Sequence, residues 1–249
     1  TVSEYDLVEV TPKPLDFTVS SDGYATAVTL NERDYDAWLN GGFVAGGVRN
    51  EVLRNVYRVF EDDFDFVMFV SNEEKSSLQY LGMYVEVSNT VEGINLASKR
   101  KPLFDNSAAA GSSGKLQGAI HFPLKWGIAG GPSLHELAHR WGNNILDANS
   151  LTDLSTGPSD PMEQAGARPH WGVSSINGQL GGFDITTLEE LGDNTYSASP
   201  FGTYANGGNA VPFSNFELYL MGLIPPSEVK DIVSFQGLSA TNEEFFDKV

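Results

Sequence analysis

Residues 130–144, GGPSLHELAHRWGNN, place two histidines and a glutamate within five positions of a chain that has four histidines in all. Pro132 suits a first helical turn, where its missing N–H is no loss. Leu134, Leu137, Ala138, Trp141 and Ile145 recur at helical spacing and make an apolar stripe. Positions four apart lie one turn apart on the same face, so His135 and His139 can offer two imidazole nitrogens to one ion at about 2.0–2.1 Å. Glu136 stands beside them, off the ligating line. A metallohydrolase needs that arrangement, because the glutamate can take a proton from water while the histidines hold the ion. The competing reading is an ordinary helix with a solvated polar face.

The surrounding pattern supplies elements to carry such a helix. GGVRNEVLRNVYRVFEDD has Val48, Val52, Leu53, Val56 and Val59/Phe60 three and four apart, which predicts a helix. FDFVMFV at 64–70 is a near-continuous apolar run, the pattern of a strand covered on both faces. LQYLGMYVEV at 78–87 and LQGAIHFPL at 116–124 are short and bounded by Gly, Ser, Asn or Pro, and predict two more strands. Upstream, DFTVSSDGYATAVTL carries a turn signal between two period-two runs and predicts a hairpin. GSSG at 111–114 is a linker-like turn. After about residue 147 the chain turns rich in Gly, Ser, Asn, Asp and Pro, with a hairpin expected within GGFDITTLEELGDNTYSAS. FSNFELYLMGLIPPSEV at 213–229 predicts a short helix broken by Gly222 and Pro225-Pro226, with Ser227 capping another turn. The expected organisation is an N-terminal β-rich segment or cap over 1–40 and a main domain over 41–249. That domain divides into an upper part, 41–147, and a loop-rich lower part, 148–249, and the fold class is α+β.

Composition narrows the chemistry. Hydrophobic residues at 41% and charged residues at 19% put the chain in the globular range. Acids outnumber bases 33 to 15, for a net charge of −18, which argues against nucleic acid and against an anionic membrane surface. With no cysteine, a metal must be held by His and carboxylates, and no nucleophile can be sulfur. The chain begins at Thr1 with neither a basic nor an apolar leader region, and its acidic, cysteine-free composition fits an extracellular bacterial protein; a secreted or cell-surface monomer is the expectation. A GxSxG elbow, a phosphate loop ending in GK[ST] and a dinucleotide glycine pattern are all missing.

HELAH resembles the HExxH motif of the zincin metallopeptidases, and strands leading through LQGAIHFPL into that helix resemble their upper subdomain. More loosely, HELAHRW, then HW, then ELYLMGLIPP resemble blocks that recur in this order in secreted bacterial metallopeptidases. The resemblance covers about residues 116–229, and it implies a zincin-like catalytic domain, a Zn2+ cofactor and a protein or peptide substrate. HExxHxxG also begins the longer metzincin pattern, but the position where that pattern implies a third ligand is Ile145. Met221 corresponds either to the methionine turn under a metzincin zinc or to a core methionine on a helix.

The third ligand is therefore open to several residues. Glu163 or Glu189/Glu190 would follow the gluzincin pattern, and Asp147 and Asp160 are weaker candidates. His170, in ARPHWG, is the remaining downstream imidazole, and three histidines with an open fourth position make a catalytic zinc arrangement; it is the choice here. His121 competes less well, on an expected edge strand. Tyr204 or Tyr219 could donate a phenol to the oxyanion. Asp147, Asp153, Asp160 and Glu163 could gather oxygen ligands for Ca2+, although a solvated acidic loop reads as well. The expected activity is zinc-dependent endopeptidase, with His135, His139 and His170 on the metal, Glu136 as general base, and substrate paired to an edge strand near 116–122. The alternatives are a secreted binding or adhesion module on the same scaffold and a zinc hydrolase of a non-peptide bond.

Overall fold

The computed structural model describes residues 14–23, 25–72, 78–90, 103–143, 170–172, 174–202 and 204–233. Helices and mixed strands are both present, giving an α+β chain. The chain groups into two compact units, one from Thr1–Asp65 with Asn106–Leu116 and one from Phe66–Asp105 with Gln117–Val249.

In the first unit, β1 (Phe17–Val19) and β2 (Thr26–Val28) form the expected antiparallel hairpin, with Phe17 opposite Val28. Gly23 takes φ 78° in the connecting turn, a conformation that suits glycine. Asn31 caps α1 (Glu32–Ala37) by accepting the Asp34 N–H. A π-type segment and the short α2 (Phe43–Ala45) follow, and Gly46 at φ 93° separates α2 from α3 (Gly47–Val59). Val52, Leu53 and Val56 are the buried face of α3, as their spacing predicts. Arg54 donates to the Ala109 carbonyl at 2.7 Å, and Asp62 Oδ2 accepts from Ser112 Oγ, Ser113 N and Ser113 Oγ at 2.6–3.0 Å. Those bonds tie Ala109 to α3, and Ser112 and Ser113 to Asp62 just beyond its end, within the first unit. The GSSG stretch is correspondingly a bonded turn, with Ser112 buried, and not a linker.

The second unit is built on a three-stranded sheet of order β3 (Phe66–Val70), β7 (Gly118–Phe122), β4 (Met83–Glu86). Between β4 and β7 in sequence lies a small pair, β5 (Ser88–Asn89) with β6 (Phe104–Asp105). β7 runs parallel to β3 and antiparallel to β4, with His121 opposite Phe69 and Met83. Every residue of β7 is buried. This corrects the edge position expected for His121: β7 is the central strand, and its backbone is already paired on both sides. β3 also departs from expectation, since Met68 and Val70 are exposed and only part of the strand is covered.

α4 (Ser133–Gly142) follows β7 across a 3-10 turn at Lys125–Gly127, with Pro132 at its N-cap rather than inside the first turn. Downstream, β8 (Gly182–Phe183) pairs with β11 (Phe201–Gly202), and β9 (Glu189–Gly192) pairs with β10 (Thr195–Ser197) through Asp193 and Asn194, both at positive φ. α5 (Asn215–Leu220) opens on a capping box between Ser214 and Glu217. Gly222 at φ 75° ends its last turn, and a 3-10 turn at Pro226–Glu228 follows with Pro225, not Ser227, at its N-cap. Ala138 of α4, Trp171, Ile176, Leu180 and Phe216 of α5 form one core cluster, so the two helices share an apolar centre. Among the described residues no helix is long and apolar enough to cross a membrane.

Candidate metal centre

α4 is enclosed on almost every side. Its most buried side chains are Ser133, His135, Glu136, Ala138, His139 and Arg140, whereas Leu134, Leu137 and Trp141 are only partly covered. The solvated polar face that competes with the metal reading is therefore overturned: His135 is 7% exposed, Glu136 6% and His139 9%. Burial of polar groups is costly unless they find partners, and the partners of His135 and His139 turn both rings toward one point.

His135 Nδ1 lies 2.7 Å from the Gln179 carbonyl, an acceptor only, so this nitrogen carries the proton and Nε2 presents a lone pair. His139 Nδ1 lies 3.0 Å from Asn143 Oδ1, which assigns the same tautomer to the second ring. The two Nε2 atoms stand 3.2 Å apart, and His170 Nε2 stands 3.2 Å from that of His135. The three ring centroids are 4.9–5.1 Å from one another. Lone pairs at that distance repel unless a cation lies between them. Nitrogens at about 2.0–2.1 Å from a tetrahedral ion lie about 3.3 Å apart, so the donor set fits one. Three buried or half-buried imidazoles thus form a group that could hold a metal ion.

Burial lowers the pKa of His135, partly opposed by its bond to Gln179. Desolvation raises Glu136 to about 8, against a smaller lowering by the Tyr84 backbone N–H that it accepts. Gly82 is what lets this strand approach: a Cβ there would lie 2.7 Å from Cγ and Oε1 of Glu136 and from Cγ of Pro132. Tyr84 of β4 stacks on His139 with ring centroids 6.4 Å apart. Together Leu81, Gly82, Met83 and Tyr84 make one wall of an open cleft of about 450 Å³, and His135, Glu136, His139, His170, Tyr204 and Ala205 face it.

The sequence candidates separate clearly. His170 joins His135 and His139, while His121 is buried away from them between Ser71 Oγ and Tyr80 Oη, each at 2.9 Å. Burial pushes His121 down to about 4. Tyr204 sits edge-on to His170 at 5.2 Å and lines the cleft. Tyr219 and Met221 pack against the Ala138–Trp171 cluster, and neither lines the cleft. Glu189 and Glu190 are exposed on the β9–β10 hairpin. Ile145, Asp147, Asp153, Asp160 and Glu163, and with them the Ca2+ reading, lie outside the described residues.

Asn143 and Glu217 contribute without having been singled out in the sequence. Asn143 stands four residues after His139, and that spacing was a usable signal. Glu217 gave only the capping-box pattern with Ser214, which announces a helix start and not a link to a site 80 residues away. Comparison of the chain with protein-family models, with curated proteins and with solved structures finds no match.

Proposed function

We propose that this chain is a zinc-dependent endopeptidase of zincin type, secreted and acting on proteins or peptides in the cleft between β4 and α4. The observation that carries the reading is the convergence of three imidazole Nε2 atoms beside a buried glutamate on the floor of an open cleft. His135, His139 and His170 would hold the ion, leaving one position for water. Zinc bound there would lower the pKa of a coordinated water to about 7 and polarise a carbonyl.

The chain's own residues supply the remaining chemistry. Next to a cation the carboxylate form of Glu136 is favoured, and Glu136 takes the proton released as water attacks, then delivers it to the leaving amine. Tyr204, edge-on to His170 in the same cleft, donates its phenol proton as a hydrogen bond to the oxygen that gains charge. β4 replaces the 116–122 strand as the substrate's partner. Its outer edge pairs with no strand among the described residues, and although Glu136 takes the Tyr84 N–H, an extended peptide can add to the sheet alongside it.

The test compares Glu136→Gln and His139→Ala on casein, with and without a chelator. Glu136→Gln should keep its metal and lose hydrolysis by about 10²–10⁴-fold, whereas His139→Ala should lose both. Chelator-insensitive hydrolysis, or full activity in Glu136→Gln, would overturn the assignment.

A further inference from the structure

Glu217, on α5, is 2% exposed, and among the described residues no Lys, Arg or His side chain bonds its carboxylate. Its carboxylate is instead saturated by N–H donors. Oε1 accepts from Trp171 Nε1 at 2.8 Å and Leu180 N at 2.9 Å; Oε2 accepts from Gln179 N at 3.0 Å and Ser214 N at 2.8 Å. The fit is close enough that a Cβ on Gly178 would collide with both carboxylate oxygens.

Two of those donors adjoin the metal centre. Trp171 follows His170 directly in the chain, and the Gln179 carbonyl is the acceptor that orients His135. A capping box needs only the bonds with Ser214, so three of the four N–H bonds serve the segment 171–180 and not the helix start. We infer that Glu217 is a positioning residue for the three-histidine site: one buried carboxylate locks the chain beside His170 and the carbonyl behind His135 to the same point on α5. The inference rests on the metal reading. Removing a group that orients a ligand's far nitrogen typically costs about 10–100-fold in metal affinity, and Glu217 acts one bond further out on two ligands at once.

Glutamine at 217 would turn one acceptor atom into a donor facing N–H groups, breaking up to two of the four bonds. The full chain, stripped of metal, should be titrated with Zn2+ against a competing chelator in wild type, Glu217→Gln and Trp171→Phe. Thermal midpoints of the metal-free proteins should be recorded alongside. Glu217→Gln should weaken Zn2+ binding about 10–100-fold, and Trp171→Phe, which removes one donor and keeps the carboxylate, by an intermediate factor. A residue that only holds the fold together would lower the metal-free midpoint and leave the affinity of the folded protein unchanged; that result overturns the inference. If Glu217→Gln does not fold, Trp171→Phe decides in the same way, with unchanged affinity overturning it. Failure of the wild type to bind Zn2+ overturns the metal reading and this inference with it, whereas equal affinities in wild type and variants overturn this inference alone.

Discussion

Gly82→Ala tests the geometry of the cleft with a single methyl group. The new Cβ would lie 2.7 Å from Cγ and Oε1 of Glu136, and ordinary contact begins at 3.4 Å, so strand and glutamate must separate by about 0.7 Å. Gly82 does not take a positive φ, so alanine fits its backbone and gains about 0.4–1 kcal/mol by narrowing the unfolded ensemble. Overpacking costs about 1–3 kcal/mol, which leaves a net loss centred on about 1.3 kcal/mol and a fall in Tm of roughly 3–5 °C for a chain of this size. The atoms nearest the new methyl belong to Glu136 and Pro132 and not to an imidazole, so zinc affinity should stay within about threefold of wild type, far short of the loss expected on removing an orienting group. Activity should not: a general base displaced by most of an ångström costs about 10²-fold in rate. Calorimetry, chelator competition and peptide hydrolysis separate these effects. A variant that hydrolyses peptide at the wild-type rate would refute the placement of Glu136 against β4 as the working geometry.

Asn143→Ala removes the acceptor on His139 Nδ1 and should weaken Zn2+ binding about 10–100-fold by chelator competition, with little change in fold. Tyr204→Phe should lower kcat about 10²-fold or more while leaving KM and metal content near wild type, because the phenol acts only on the charge that develops; equal kcat would exclude it as the donor. His121 is neutral when folded down to about pH 4, against about 6.5 unfolded, so between those values the unfolded chain binds more protons. The stability this group contributes is complete above pH 6.5 and lost as pH falls toward 4, by at most about 3 kcal/mol. Urea midpoints measured across that window should show the wild type declining more steeply than His121→Asn; parallel curves would contradict the assignment.

Local pattern accounts for what the sequence disclosed. Three- and four-residue spacing in 48–60 marks α3, SDG marks the first hairpin, and HELAH places two imidazoles one turn apart, because each is decided by residues adjacent on the same element. Sheet order is decided elsewhere. GAIHF reads the same as an edge or a central strand, and only pairing with Phe66–Val70, some 50 residues upstream, makes it central. Likewise the apolar stripe on α4 suggests a half-buried helix, yet the polar side is the more deeply covered, because β4 and the 170–180 segment close over it. His170 was reachable by elimination in a histidine-poor chain. Glu217 was not, since its partners are mostly main-chain amides, and any residue type supplies those.

The two ring-orienting bonds differ in what inheritance can do to them. His139 leans on a side chain, Asn143, which one codon change abolishes. His135 leans on a peptide carbonyl at Gln179, which every amino acid at that position would carry equally well. Drift can therefore slacken the His139 tether at the bonding residue itself, while the His135 tether yields only to a change elsewhere, such as one at Glu217, that moves the path of the main chain.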